Sequence, residues 1–168
     1  MSNMDYYIGL ISGTSVDGVD AALVNFAADM PELIATHSHA ISDTLRGEVL
    51  ELCKGNNISL SQLGSTHIKL GNLFADAVEE LLEQSSIDSS AVAAIGNHGQ
   101  TVWHEPDSEN PFTLQLVDAN TLAYQTGITV VGHIRGRDIA AGAPWPIIAS
   151  ACFQFFQCRS SNHQHWWV

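Results

Sequence analysis

The sequence predicts an α/β domain built on a mixed sheet. Three apolar segments, rich in β-branched and aromatic residues, come first at positions 6–12, 20–26 and 33–40. Segments with helical spacing of apolar residues then alternate with shorter strand-like runs, which is typical of a sheet with helices packed on it. The 168 residues are 45% hydrophobic, which is sufficient for one domain with its own core.

The elements after the third strand are predicted from caps and periodicity. Ser42 or Asp43 is a suitable N-cap for a helix that ends at Cys53, and Gly55 follows its end. Asn97 and His98 are expected to follow the end of a small-residue strand, where α/β folds place ligand-binding groups. The predicted elements are helices at 43–53, 62–84 and 118–125 and strands at 91–96, 113–117 and 128–132.

The turn between the first two strands is rich in glycine, hydroxyl and carboxylate residues, which is typical of a phosphate loop. Gly13 and Gly18 permit backbone angles closed to other residues, so that N–H groups can converge on an anion. Asp17 and Asp20 suit a phosphate accompanied by Mg²⁺. An ordinary hairpin that needs glycine for geometry alone is the alternative. The candidate phosphate-binding residues are Gly13, Thr14, Ser15, Val16, Asp17, Gly18, Val19 and Asp20, with Asp17 as the candidate Mg²⁺ ligand.

Composition restricts the classes of partner. A net charge of −12 argues against nucleic acid and anionic membranes, whose binding depends on Lys and Arg. No segment reaches the roughly 18 apolar residues of a membrane span, and the N-terminus lacks the pattern of a secretion signal. An odd number of cysteines suits a reducing compartment. We therefore expect a soluble, cytoplasmic protein.

Four segments, in order along the chain, resemble the anhydro-N-acetylmuramic acid kinase family. They are the turn at 9–20, a glycine and histidine segment at 94–104, a strand at 112–120, and a strand and turn containing arginines at 126–141. This family is a branch of the sugar kinase, actin and heat-shock ATPase superfamily. The resemblance implies a ribonuclease H-like ATPase domain at 1–143, with the family's second domain absent.

The resemblance also implies an activity. Members of the family use ATP and Mg²⁺ to convert 1,6-anhydro-N-acetylmuramic acid to N-acetylmuramic acid 6-phosphate, opening the anhydro ring with water during peptidoglycan recycling. The partners would be ATP and this amino sugar. The family's catalytic aspartate lies in a downstream segment, so no catalytic residue is assigned and the 168-residue chain is expected to be inactive alone. Sugar contacts are expected from Asn97, His98, Gln100, Thr101, Asp118 and Arg135.

Other interpretations remain open at this point. The chain is alternatively a noncatalytic nucleotide- or sugar-binding domain, or a glycoside hydrolase that uses Asp118 and Asp138. His98 is alternatively a structural histidine. Asp138 is better explained as an ion-pair partner of Arg135 and Arg137 than as a general base, because neighbouring cations stabilise its charged form.

Residues 144–168 form an atypical tail that is expected to be unstructured. Upstream of it, His133, Ile134 and Gly136 already differ from the family's aspartate, phenylalanine and arginine. A zinc site in the tail is an alternative, although the spacing of its candidate ligands matches no zinc-finger pattern. Its candidate ligands are Cys152, Cys158, His163 and His165. Apolar surface left bare by a missing second domain would favour a homodimer.

Overall fold

The computed structural model describes residues 6–28 and 30–142, and within them it confirms the α/β class. A short 3-10 turn at Ser89–Ala91 precedes the fourth strand. The predicted tail at 144–168 lies outside the described residues. The strands and helices are β1 (Tyr6–Ser12), β2 (Gly18–Asn25), β3 (Glu32–Ala40), α1 (Asp43–Cys53), α2 (Leu60–Ser85), β4 (Val92–Glu105), β5 (Phe112–Leu116), α3 (Ala119–Thr126), β6 (Val130–Val131) and α4 (Ile134–Ala140).

The strands form one mixed sheet in the order β3-β2-β1-β4-β5. β1, β2 and β3 make an antiparallel meander, as their short connections require. β4 then pairs in parallel with β1, because the intervening helices carry the chain back to the starting edge of the sheet. β5 pairs antiparallel with the second half of β4, and β6 pairs in parallel with the first half. This mixed sheet is the one expected of a ribonuclease H-like ATPase domain.

The core lies between one face of the sheet and the first two helices. On β1, Ile8 and Leu10 pair with Leu23 and Ala21 of β2, and all four side chains are buried. Phe74 of α2 is fully buried and is the largest such side chain in the described residues. Burying a side chain of this size contributes about 1.5–3 kcal/mol. Packing of α2 therefore holds the central strands in place.

Serine side chains cap both long helices. Ser42 Oγ accepts a hydrogen bond of 3.3 Å from Leu45 N, which decides between the two candidate caps of α1. Ser59 Oγ accepts one of 3.1 Å from Gln62 N at the start of α2. These bonds satisfy N–H groups that a helix leaves unpaired in its first turn.

Three predicted boundaries are wrong. β4 does not end at position 96 but continues to Glu105, because β5 gives its second half a pairing partner from Gln100 to Glu105. The strand predicted at 128–132 is only Val130–Val131. The arginine segment, expected as a strand and turn, forms helix α4. In each case pairing or packing with a distant segment overrides the local pattern.

The pairing of β4 with β1 has two register shifts, one between Tyr6 and Tyr7 and one between Leu10 and Ser12, and the second lies beside the candidate site. Leu10 pairs with Asn97, whereas Ser12 pairs with Gln100, so three steps on β4 match two on β1. Gly99 lies within the second shift and has a φ of +78°, which glycine adopts readily. A Cβ at this position would lie 2.9 Å from the Leu116 carbonyl oxygen. Side chains alternate along a regular strand, so this bulge places Asn97 and Gln100 together on the buried face.

We predict that Gly99→Ala destabilises the fold more than Gly127→Ala does. Both glycines have a positive φ, but a Cβ at Gly127 would meet nothing within 4 Å. Each substitution costs about 1–2 kcal/mol for the left-handed backbone, and the clash with Leu116 adds at least about 1 kcal/mol more at Gly99. Urea unfolding of both variants measures the difference, and equal losses would contradict the assignment of Gly99 as the bulge residue.

Candidate functional site

The phosphate-loop candidate forms a tight turn between β1 and β2. Val16 N–H donates to the Gly13 carbonyl oxygen over 3.2 Å, which closes the turn. The expectation that Gly13 and Gly18 supply unusual backbone angles is wrong, since neither has a positive φ. Instead, Val16 has a φ of +53°. Gly18 is needed for close approach, because a Cβ there would lie 3.1 Å from the His39 carbonyl oxygen.

The left-handed backbone at Val16 is a local strain that the surrounding structure maintains. A β-branched residue in this region costs about 1–3 kcal/mol. The Val16 side chain is 1% exposed and belongs to the core, so burial offsets this cost. The shape of the loop is thus fixed by core packing as well as by its own hydrogen bonds.

The loop presents groups that suit an anion with an accompanying cation. Within the part of the chain that the structure describes, the N–H groups of Thr14 and Ser15 donate to no acceptor. Ser15 Oγ donates to Asp17 Oδ1 over 2.6 Å, and the Asp17 side chain is exposed to solvent. Arg46 donates through Nε and Nη2 to the Ser15 carbonyl oxygen, at 3.3 and 3.1 Å. Free backbone donors beside a carboxylate fit a nucleotide phosphate with Mg²⁺.

Ser12 connects this loop to β4. Its hydroxyl lies 2.8 Å from the Gly18 carbonyl oxygen and 2.6 Å from Gln100 Oε1, and Ser12 and Gln100 are both buried. Gln100 Nε2 donates in turn to the Thr101 carbonyl oxygen over 3.1 Å. Ser12 was not among the predicted site residues, although a serine that ends an apolar strand just before a glycine-containing turn is a usable signal.

The polar residues of β4 divide between the two faces of the sheet. Asn97 is buried, and its Oδ1 accepts from Gly99 N over 3.0 Å, which supports the bulge. His98 is half-buried and follows Asn97 in the strand, so it points to the opposite face. Thr101 Oγ1 accepts from Gln115 Nε2 of β5 over 3.1 Å. Asn97 and Gln100 thus have structural hydrogen bonds, and their expected sugar contacts stay predictions.

A cluster of charged and polar side chains forms where α4 packs against β4 and β5. Arg135 is buried, and its Nη2 lies 3.3 Å from His104 Nε2. Its Nη1 lies 4.0 Å from Asp138 Oδ2, and Asp138 is buried as well. The predicted ion pair of Asp138 therefore involves Arg135, while Arg137 is exposed on the other side of the helix. His104 was not predicted as a site residue, although it is the last residue of the glycine and histidine segment at 94–104.

The environment of His98 favours its neutral form. Burial is the main cause that lowers the pKa of His98, and the positive charge of Arg135 lowers it further. A backbone hydrogen bond with Gly99 and the charge of Asp138 act in the opposite direction. Because the folded-state pKa is lowered, His98 favours folding above the pKa of the unfolded state. This contribution is lost as the pH falls from the pKa of the unfolded state through the lower pKa of the folded state.

Asp118 has a structural role at the start of α3. Its Oδ2 accepts from Thr121 N over 2.9 Å and from Thr121 Oγ1 over 2.5 Å, and Oδ1 accepts from Asn120 Nδ2 over 3.2 Å. These hydrogen bonds, above all the one from the Thr121 side chain, lower the pKa of Asp118. His67 Nε2 of α2 lies 3.7 Å from Oδ1. Asp118 is therefore an N-cap, and its expected contact with sugar stays a prediction.

Comparison with known proteins agrees with these features. A profile of the anhydro-N-acetylmuramic acid kinase family matches residues 5–160, nearly the whole chain. The chain belongs to the anhydro-N-acetylmuramic acid kinase family. An anhydro-N-acetylmuramic acid kinase of Shewanella halifaxensis is 47% identical over 162 residues, and one of Shewanella pealeana is 50% identical over 162 residues.

The alignments cover most of this chain but less than half of each relative. Both Shewanella alignments include 96% of this chain but 44% of each relative. A relative from Vibrio vulnificus is 49% identical over 142 residues, which is 84% of this chain and 38% of that protein. The chain thus spans less than half the length of these relatives. Among the described residues, no helix has both the length and the apolar composition that crossing a membrane requires.

We predict that Arg135→Gln raises the pKa of His98, because it removes the positive charge that opposes protonation of the ring. Arg137→Gln is the matched control, since Arg137 is an exposed arginine of the same helix. Two-dimensional NMR of the imidazole signals across pH measures the pKa, with His98→Gln used for assignment. Equal effects of the two arginine variants would contradict the proximity of Arg135 and His98.

Proposed function

We propose that this chain carries the phosphate loop and part of the sugar site of an ATP-dependent kinase. The reaction is the conversion of 1,6-anhydro-N-acetylmuramic acid to N-acetylmuramic acid 6-phosphate during peptidoglycan recycling. The observation that carries this proposal is the hydrogen bond from Ser12 to Gln100, which joins the loop to the polar segment of β4. Family membership supports the reaction class. Because the reaction consumes ATP, we propose that it takes place in the cytoplasm.

In this proposal the loop binds the nucleotide phosphates. Thr14 and Ser15 donate backbone N–H groups, as their lack of acceptors in the described structure allows. Asp17 is the proposed ligand of Mg²⁺, directly or through water, since its carboxylate is exposed beside these donors. Bound Mg²⁺ supplies neutralisation of charge on the transferred phosphoryl group. The remaining loop residues, Gly13, Val16, Gly18, Val19 and Asp20, are proposed to fix the shape and charge of the site.

The proposed sugar site lies on the face of β4 that α4 covers. In neutral His98, Nδ1–H donates to the Gly99 carbonyl oxygen over 3.1 Å, which leaves Nε2 to accept a hydrogen bond from a sugar hydroxyl. Arg135 is a fixed cation in the same cluster, and a muramic acid carries a carboxylate that a guanidinium binds well. Thr101 is proposed to contribute a hydroxyl on this face, while Asn97, Gln100 and Asp118 position it. The proposed homodimer would use apolar surface outside this cluster.

The electrostatics of Asp118 oppose its use as the general acid of a glycoside hydrolase. A general acid requires a raised pKa, whereas helix capping lowers the pKa of Asp118. A noncatalytic binding domain has the same loop and cluster, and only an assay separates it from the kinase. On the family resemblance, the catalytic aspartate belongs to a segment downstream of those matched here. We therefore expect the isolated chain to bind both ligands without forming product.

We predict that Asp17→Asn weakens binding of Mg-ATP at least about tenfold but does not weaken binding of Mg²⁺-free ATP, because the lost carboxylate repels bare phosphate. Asp43→Asn is the matched control, because Asp43 is another exposed carboxylate and lies in the first turn of α1. Calorimetry with ATP, with and without Mg²⁺, provides the measurement.

Four outcomes distinguish the alternative functions. Equal weakening by both substitutions would contradict the role of Asp17, because the loss of one negative charge by itself favours binding of anionic Mg-ATP. No ATP binding at all would contradict the phosphate loop. Phosphorylation of the anhydro sugar by the homogeneous 168-residue chain would contradict the expected inactivity, and ring opening without ATP would favour a hydrolase.

A further inference from the structure

Two histidines and a glutamate converge at the edge of the sheet, away from the phosphate loop. His37 and His39 are two residues apart on β3, so both side chains point to the face covered by α2. Glu80 projects from α2 towards them. Its Oε2 lies 2.7 Å from His37 Nε2 and 3.2 Å from His39 Nδ1. One nitrogen of each ring and a carboxylate oxygen lie within 4.8 Å of one another.

We propose that His37, His39 and Glu80 bind one divalent transition-metal ion of the Zn²⁺ class. Tetrahedral Zn²⁺ with bonds of about 2.0–2.1 Å separates its ligand atoms by about 3.3 Å, so small side-chain rotations suffice. Two histidine nitrogens and one carboxylate form a three-ligand set that leaves a fourth position for water. Imidazole ligands favour Zn²⁺ over Mg²⁺ or Ca²⁺, which prefer sites made of oxygen.

The orientation of His37 supports a ligand role over a simple ion pair. Its Nε2 atom is buried and close to Glu80, yet the two atoms do not have the alignment of a hydrogen bond. On the other side of the ring, Nδ1 lies 3.0 Å from the side-chain amide of Gln84. Rotating this amide by 180° places its oxygen against Nδ1–H, which directs the Nε2 lone pair towards the metal.

The surrounding charge also favours a cation. Glu80 lines an open cleft of about 310 Å³ together with His39, Asp76, Glu79 and Glu83. Three further carboxylates around the cleft attract a cation without completing the ligand set themselves.

A bound ion would join the edge of the sheet to its central helix. β3 is an outer strand and pairs only with β2 among the described strands, whereas α2 lies in the core. The ion would thus be a stabilising link between β3 and α2 and take no part in phosphoryl transfer. Binding to the folded state alone raises the unfolding temperature with metal concentration.

The test is calorimetric titration of the 168-residue chain with ZnCl₂. Four tail residues that can also bind zinc, Cys152, Cys158, His163 and His165, are first replaced by serine and glutamine. We expect one Zn²⁺ per chain and a rise in unfolding temperature. His39→Gln and Glu80→Gln should each weaken binding at least about tenfold, while Gln84→Leu has a smaller effect. His133→Asn is the matched control, because His133 is exposed and occupies the N-cap position before α4, away from the cluster.

Three results of these titrations would overturn the proposal. Circular dichroism of each variant without metal establishes that it is folded before titration. Equal Zn²⁺ affinity in His39→Gln and His133→Asn would overturn the proposal. So would binding of MgCl₂ as tight as that of ZnCl₂, which would indicate an acidic surface only. Absence of Zn²⁺ binding would leave His37, His39 and Glu80 as an ion-pair cluster and overturn it as well.

Discussion

The parallel pairing of β1 with β4 is the constraint on which the rest of the structure depends. It places the end of β1, where the phosphate loop begins, beside the polar half of β4. The extra residue at Gly99 then sets which side chains face the core and which face α4. Without this bulge, Asn97 and Gln100 would lie on opposite faces, and the buried bond to Ser12 would be lost.

Polar groups at this junction stabilise the arrangement because each has a partner. Ser12 bridges the far end of the loop and Gln100, Asn97 holds the bulge, and Asp118 caps α3. A buried polar atom without a partner costs about 1–3 kcal/mol, so such residues specify one geometry. The strained backbone of Val16 is compatible with folding because its side chain adds to the same core. Structure and candidate function therefore share the same residues.

Local signals predicted most of the elements, and long-range contacts explain what they missed. The first three strands and the helix after Ser42 follow from apolar pattern and capping, which act over a few residues. The length of β4 depends on β5, and the burial of Arg135 depends on packing of α4, so neither is visible in a short window. The pairing of His39 with Glu80 joins residues 41 positions apart, although two histidines at alternate positions of a strand were a usable signal.

A double-mutant cycle on Ser12 and Gln100 tests the link between loop and strand most directly. The free energy of unfolding is measured for Ser12→Ala, for Gln100→Met and for the combination. If the 2.6 Å hydrogen bond joins the loop to β4 in solution, the two changes should be coupled. The coupling should be at least about 0.5 kcal/mol, with the double variant losing less stability than the sum of the single losses. Additive losses within error would contradict the central role of this contact.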